Sequence, residues 1–227
     1  MRVQIDERVQ LRQHVSKRPG GIKYIVIHDT GNPGPYAGAL THKRYFATTS
    51  RKASADYVVD DQRIIQLNDW RQYYTWHCGD GKGRYGIRND NSIGIEMCID
   101  STGDIRKTTD RTLALTADLM QELNIDLDHV VRHYDASRKM CPGHMQASGW
   151  AQWTNFKRRL AKIVAGAADA PPKVTYVKIQ VTDGSKIQDI AIPADFAGGH
   201  HYVLLRDVFE AMGYSVSWDG SKVHCRR

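Results

Sequence analysis

Four short segments, YIVIH at residues 24–28, YVVD at 57–60, RIIQL at 63–67 and IGIEMCI at 93–99, carry the main constraint on this chain's fold. Segments this short and this apolar match strands covered on both faces, and HVVRH at 129–133 reads as a fifth. Helical patterns fall between them. Leu113, Thr116, Ala117, Met120 and Leu123 line one helical face after cap candidates Thr108 and Thr109, and residues 40–46 form a second helix. A third runs through Trp150, Trp153, Phe156, Leu160 and Val164, with Lys157, Arg158 and Arg159 on its other side. This alternation predicts an α/β domain over residues 1–165.

That domain should end at GAADAPPK, residues 166–173, where paired prolines stop the helix and small residues suit a linker. Residues 174–227 then read as a small β-rich α+β unit. Strands are expected at 174–181, 186–192, 214–218 and 222–225, with turns at Asp183-Gly184 and Asp219-Gly220 and one helix near 205–212. Two cores fit within 227 residues at 41% hydrophobic content.

No run of 18 apolar residues occurs, and charges interrupt the N-terminal stretch, so neither a membrane span nor a secretory signal peptide is expected. Synthesis would then end in the cytoplasm. The net charge of +7, nearly all of it before Ala170, favours a polyanionic partner. Basic residues are scattered and no nucleic-acid-binding signature accompanies them, so nucleic acid is not the expected partner. Cys78, Cys98, Cys141 and Cys225 stand too far apart for a disulfide framework to be expected.

Three residues suit a metal. His28 closes the first strand, His133 closes HVVRH, and Cys141 follows in the Pro/Gly loop KMCPGH. Two imidazoles and a thiolate suit Zn2+ and leave a fourth position for water, the arrangement of a hydrolytic centre. Strand alternation puts Glu96 on the opposite face from Ile93, Ile95 and Ile99, as a candidate general base. Lys139, two residues before Cys141, is a candidate for stabilising an oxyanion.

In order along residues 20–165, the segments IVIHDTGN, ASADYVVDD, TWHCGDG, NSIGIEMC and VVRHYDASRKMCPG resemble the zinc-dependent N-acetylmuramoyl-L-alanine amidases of phage endolysins, autolysins and peptidoglycan-recognition proteins. The resemblance implies a central mixed β-sheet flanked by helices. It makes His28, His133 and Cys141 ligands of one Zn2+, Glu96 the acid/base, Lys139 the oxyanion-stabilising cation, and His77 a wall of the substrate groove. Water deprotonated by Glu96 would attack the amide between the lactyl group of N-acetylmuramic acid and L-alanine in peptidoglycan.

Some short phage relatives carry a catalytic tyrosine where this chain has Ala55, which leaves the acid/base duty to Glu96, while Tyr57 reads as packing. Asp56 and Cys78 also depart from commoner family residues. The segment GHHYVLLRDVFEAMGYSVSWDGSKV resembles the small wall-associated domain named for the N-terminal domain of copper amine oxidases. Copper is not implied, because adjacent His200 and His201 on a strand point to opposite faces. This unit is expected to bind the cell wall, where the positive charge would also favour anionic wall polymers. A phage or prophage endolysin is the expected role; a host autolysin and a non-catalytic peptidoglycan-binding protein are the alternatives.

Overall fold

In the computed structural model the described residues are 3–166 together with the backbone of strands at 175–182, 187–197, 200–202, 215–218 and 223–226. The chain divides into two units, Met1–Ala168 and Asp169–Arg227.

The first unit is built on a six-stranded sheet containing β1 (Glu7–Arg8), β3 (Tyr24–Asp29), β4 (Tyr57–Val59), β5 (Ile64–Gln66), β7 (Ser92–Met97) and β8 (Val130–Arg132). Its order is β1-β5-β4-β7-β3-β8. All neighbours are parallel except the β4–β5 hairpin, so the sheet is mixed. A separate antiparallel ribbon joins β2 (Val15–Lys17) to β6 (Tyr73–Thr75).

Both faces of the sheet are covered, which is why its central strands are apolar almost throughout. On one face Ile25, Ile27, Ile93, Ile95 and Met97 pack against Leu113, Leu115, Leu119 and Met120 of α2 (Ile105–Leu123) and Trp153, Phe156 and Leu160 of α4 (Ala147–Val164). On the other, Val58, Ile65 and Leu67 meet Ala39 and Phe46 of α1 (Ala39–Thr48). A third cluster joins Val26 to Cys78, Ile87 and Ala136.

The five expected strands are present, and so are the three helices of this unit, with four differences. The cap of α2 is Asp104, whose side chain accepts from the Arg106 and Lys107 backbone N–H groups; Thr108 lies inside the helix and is buried. His133 does not end a strand: β8 stops at Arg132 and His133 opens the short helix α3 (His133–Ser137). Val164, the last residue of α4, is 53% exposed, and Trp150, partly buried against the core, has left-handed backbone (φ 70°), so the buried helical stripe is Trp153, Phe156 and Leu160. Strands β1, β2 and β6 had no sequence signal, because ER, VSK and YYT lack the aliphatic run that marks the covered strands.

In the second unit β9 (Thr175–Thr182), β10 (Ile187–Ala197) and β11 (His200–Tyr202) form an antiparallel sheet in the order β11-β10-β9, and β12 (Ser215–Trp218) pairs antiparallel with β13 (Val223–Arg226). The expected helix near 205–212 and most of the expected linker, from residue 167 on, lie outside the described residues.

Candidate functional site

Parallel register assembles the site. His28 pairs with Glu96 across β3–β7, and Ile27 pairs with Arg132 across β3–β8, so the next residue, His133, arrives beside His28. Because side chains alternate along a strand, His28 and Glu96 leave the face opposite the Ile25, Ile27, Ile93 and Ile95 core. The His28 and His133 rings approach to 4.6 Å between centroids.

Cys141 comes from the loop after α3. Its carbonyl accepts from the Tyr134 N–H at 3.0 Å, and its own N–H donates to the Lys139 carbonyl at 2.8 Å. The loop is tied to β3 by Asp29, whose Oδ2 accepts from both the backbone N–H and the Nδ1 of His144 at 2.9 Å. Cys141 Sγ thereby comes to 3.8 Å from His28 Nδ1. One donor atom from each of His28, His133 and Cys141 lies within 4.8 Å of the others, and all three residues are buried.

The outward nitrogen of each imidazole is engaged. His133 Nε2 meets Asp80 Oδ1 at 2.7 Å, and a carboxylate accepts, so the ring's other nitrogen is bare. That atom, His133 Nδ1, is buried without a hydrogen-bond partner, and so is Glu96 Oε2. His28 Nε2 is 3.0 Å from His77 Nδ1. Glycine permits both approaches: a Cβ on Gly81, in the Asp80 loop, would meet the Ala136 carbonyl oxygen at 2.1 Å, and one on Gly94 would meet the His77 ring at 2.5 Å.

Electrostatics follow burial. It holds His28 well below the usual imidazole range, reinforced by His133 and His77, and takes His77 down to about 3, so both rings are neutral at pH 7. His133 is lowered by burial against the opposing pull of Asp80. Burial first, then the charge of Asp29, pushes Glu96 up to about 8, with Lys139 acting the other way. The Cys141 thiol is raised by burial and next by Glu96. Two neutral imidazoles, one without a partner at Nδ1, and a buried thiol form a donor set suited to a divalent cation.

Beside the cluster runs a groove of about 440 Å³ bordered by Lys52, Tyr74, Trp76, Asp80, His133 and Lys139. His77 also borders it, while both its ring nitrogens face partners within the chain, His28 and Ser92. A larger cavity of about 540 Å³, lined by Val3, Ile5, Trp70 and Leu119 among others, holds none of these groups. Sequence reasoning assigned nothing to Asp29, Asp80, Ser92 or His144. Each stands inside a quoted segment, Asp29 in IVIHDTGN, Asp80 in TWHCGDG, Ser92 in NSIGIEMC and His144 in KMCPGH, but their roles come from partners that no local pattern identifies.

The sequence profile of the N-acetylmuramoyl-L-alanine amidase family (Amidase_2) matches residues 17–144. The chain belongs to this amidase family. Relatives include two Bacillus subtilis N-acetylmuramoyl-L-alanine amidases: CwlH, 34% identical over 152 residues, 67% of this chain and 56% of that protein, and XlyA, 38% identical over 137 residues, 59% and 42%. The chain thus spans about half the length of these curated relatives. Among solved structures, the catalytic domain of XlyA is 35% identical with a TM-score of 0.57, covering 67% of this chain and 98% of that one. A mutant endolysin from Bacillus subtilis is 34% identical with a TM-score of 0.58, covering 69% and 99%. The amidase-family region contains both histidines, Cys141, Glu96 and Lys139.

Proposed function

We propose that this chain hydrolyses the amide bond between N-acetylmuramic acid and L-alanine in bacterial peptidoglycan, using one Zn2+ held by His28, His133 and Cys141. The observation that carries the reading is the buried His28–His133–Cys141 cluster with an unpartnered Glu96 carboxyl oxygen beside it. Zinc bound by two imidazoles and a thiolate supplies a Lewis acid that polarises the amide carbonyl and makes water acidic near neutral pH.

Glu96 takes the proton from the attacking water. As the C–N bond breaks, it returns a proton to the departing L-alanine nitrogen, leaving a lactyl carboxylic acid and a free amine. Burial raises the Glu96 carboxyl to about 8 in the metal-free chain, and the positive charge of a bound Zn2+ would pull it back toward the ionised form that accepts the proton. Lys139 borders the groove, and in this reading its ammonium stabilises the charge that develops on the carbonyl oxygen. His77 and Trp76 border the same groove and contribute to its substrate-facing wall.

We assign residues 1–165 as the catalytic domain, 166–173 as the linker and 174–227 as a wall-binding domain of the copper-amine-oxidase-N-terminal type. Similarity along 93% of this chain to a probable N-acetylmuramoyl-L-alanine amidase of Bacillus licheniformis, at 36% identity, supports a joint architecture. The net charge of +7 would add attraction to anionic wall polymers. A phage or prophage lytic role is supported by the likeness to the Bacillus subtilis endolysin. Among the described residues no helix is long and apolar enough to cross a membrane.

The test is mass spectrometry of peptidoglycan digested with the full chain, with and without a chelator, beside Glu96→Ala. Free stem peptides beginning with L-alanine, lost on chelation and in the variant, are expected. Cleaved glycan with intact stems, or tight wall binding with no cleavage, would overturn the reading.

A further inference from the structure

Behind His28 the hydrogen bonds have only one consistent direction. Ser92 Oγ lies 2.5 Å from the Arg88 carbonyl oxygen, which can only accept, so the hydroxyl proton points there. Toward His77 Nε2, 3.1 Å away, Ser92 is therefore the acceptor and that nitrogen carries the proton of the neutral ring. His77 Nδ1 is then bare and accepts from His28 Nε2–H at 3.0 Å. This leaves His28 Nδ1 without a proton, 3.8 Å from Cys141 Sγ and 4.0 Å from Glu96 Oε1. The remaining neighbour of Ser92, the Cys78 thiol at 3.8 Å, fits as a donor and disturbs nothing.

We infer that Ser92 and His77 are positioning residues: the chain Arg88 carbonyl–Ser92–His77 fixes His28 as the Nε2–H tautomer and turns its Nδ1 lone pair toward the metal. Strand alternation makes this possible, since Ser92, Gly94 and Glu96 share one face of β7. Ser92 anchors the far nitrogen of His77, Gly94 leaves room for its ring, and Glu96 reaches the site. Neither Ser92 nor His77 needs to touch the reacting atoms. The inference rests on the metal reading above, and the experiment separates the two.

In the metal-free full chain, 15N shifts of the histidine side chains report which ring nitrogen carries the proton. His28 is expected as Nε2–H in the wild type and as a tautomer mixture in Ser92→Ala; a His28 that carries its proton on Nδ1, or a spectrum unchanged in Ser92→Ala, would overturn the inference. Zinc affinity, measured by competition with a chromophoric chelator, is the second readout. His77→Leu removes the acceptor and should weaken zinc about 10- to 100-fold, the range for loss of an outer hydrogen bond to a metal-bound histidine. His77→Asn restores an acceptor oxygen near the place of Nδ1 and should recover most of that loss. Equal affinity in His77→Leu, or an Asn variant as weak as Leu, would sink the positioning role while leaving the zinc site standing. A wild-type chain that binds no zinc would instead remove the reading beneath it. Should His77→Leu fail to fold, Ser92→Ala carries both readouts, its zinc affinity expected below that of the wild type.

Discussion

Gly94→Ala probes the packing that presses His77 against β7. A Cβ at position 94 would lie 2.5 Å from His77 Cγ, 2.8 Å from Nδ1 and 3.0 Å from Cβ. Comfortable contact needs about 3.5–4 Å, so the ring must retreat by roughly 1 Å. The strand cannot yield instead. Gly94 N–H donates to Asp56 Oδ2 at 2.8 Å, its carbonyl accepts from the Asp56 N–H at 3.1 Å, and β7 is held between β3 and β4. A retreat of that size takes the 3.0 Å contact with His28 beyond hydrogen-bonding range. Overpacking costs about 1–3 kcal/mol, and replacing a strand glycine returns about 0.5–1 kcal/mol, so a net loss of about 1–2 kcal/mol is expected. Urea unfolding of the metal-free protein measures it, and zinc affinity should fall about tenfold in parallel. A variant at least as stable as the wild type, with undiminished zinc affinity, would refute the packing argument.

Glu96→Gln should abolish most amidase turnover, by about 10²-fold or more, and should also alter stability with pH. Glu96 is raised from 4.5 to about 8 in the folded metal-free chain, so its contribution is fully present below pH 4.5 and is lost as pH rises toward 8. The glutamine variant should lose that part of the decline, on the order of a few kcal/mol, and identical pH-stability curves in chelator would contradict it. Lys139→Met should lower kcat about 10²-fold with little change in KM; a change confined to KM, measured on a soluble muropeptide, would assign the lysine to binding instead. A chain ending at residue 168 should cleave soluble muropeptides at the full-length rate and whole walls more slowly, since tethering raises local concentration. Equal rates on whole walls would argue against a wall-binding role for residues 174–227.

Most of the candidate site was legible because its residues sit within or beside strongly patterned segments. His28 follows the apolar run YIVI, Glu96 alternates with isoleucines, and Cys141 stands beside a proline and a glycine in a loop. Local rules of period and turn chemistry carry that far, and they also supplied the helices, whose apolar stripes span several turns. They failed at two boundaries that a capping side chain two or three residues away decides, where the apolar pattern carries no mark of the cap. Val130 and Val131 promised that the strand would continue through His133, yet a capping interaction of Asp135 with the Arg132 backbone starts α3 there. Asp104 displaced Thr108 as a cap because a side chain must flank the first turn, whereas Thr108 is enclosed within α2.

The sequence by itself determined that this chain makes a covered α/β sheet, that His28 and Glu96 lie toward the ends of its strands and that His133 and Cys141 follow the last of them, because side-chain periodicity is a local property of the backbone. Tertiary structure alone decided the parallel register that sets His28 against Glu96 and His133, the Asp29–His144 tie that brings Cys141 in from 113 residues away, and the hydrogen bonds that His133 donates to Asp80 and His28 donates to His77. Those partners have no sequence period linking them. Their meeting depends on strand order and on two glycines whose missing side chains let a loop and a ring come close.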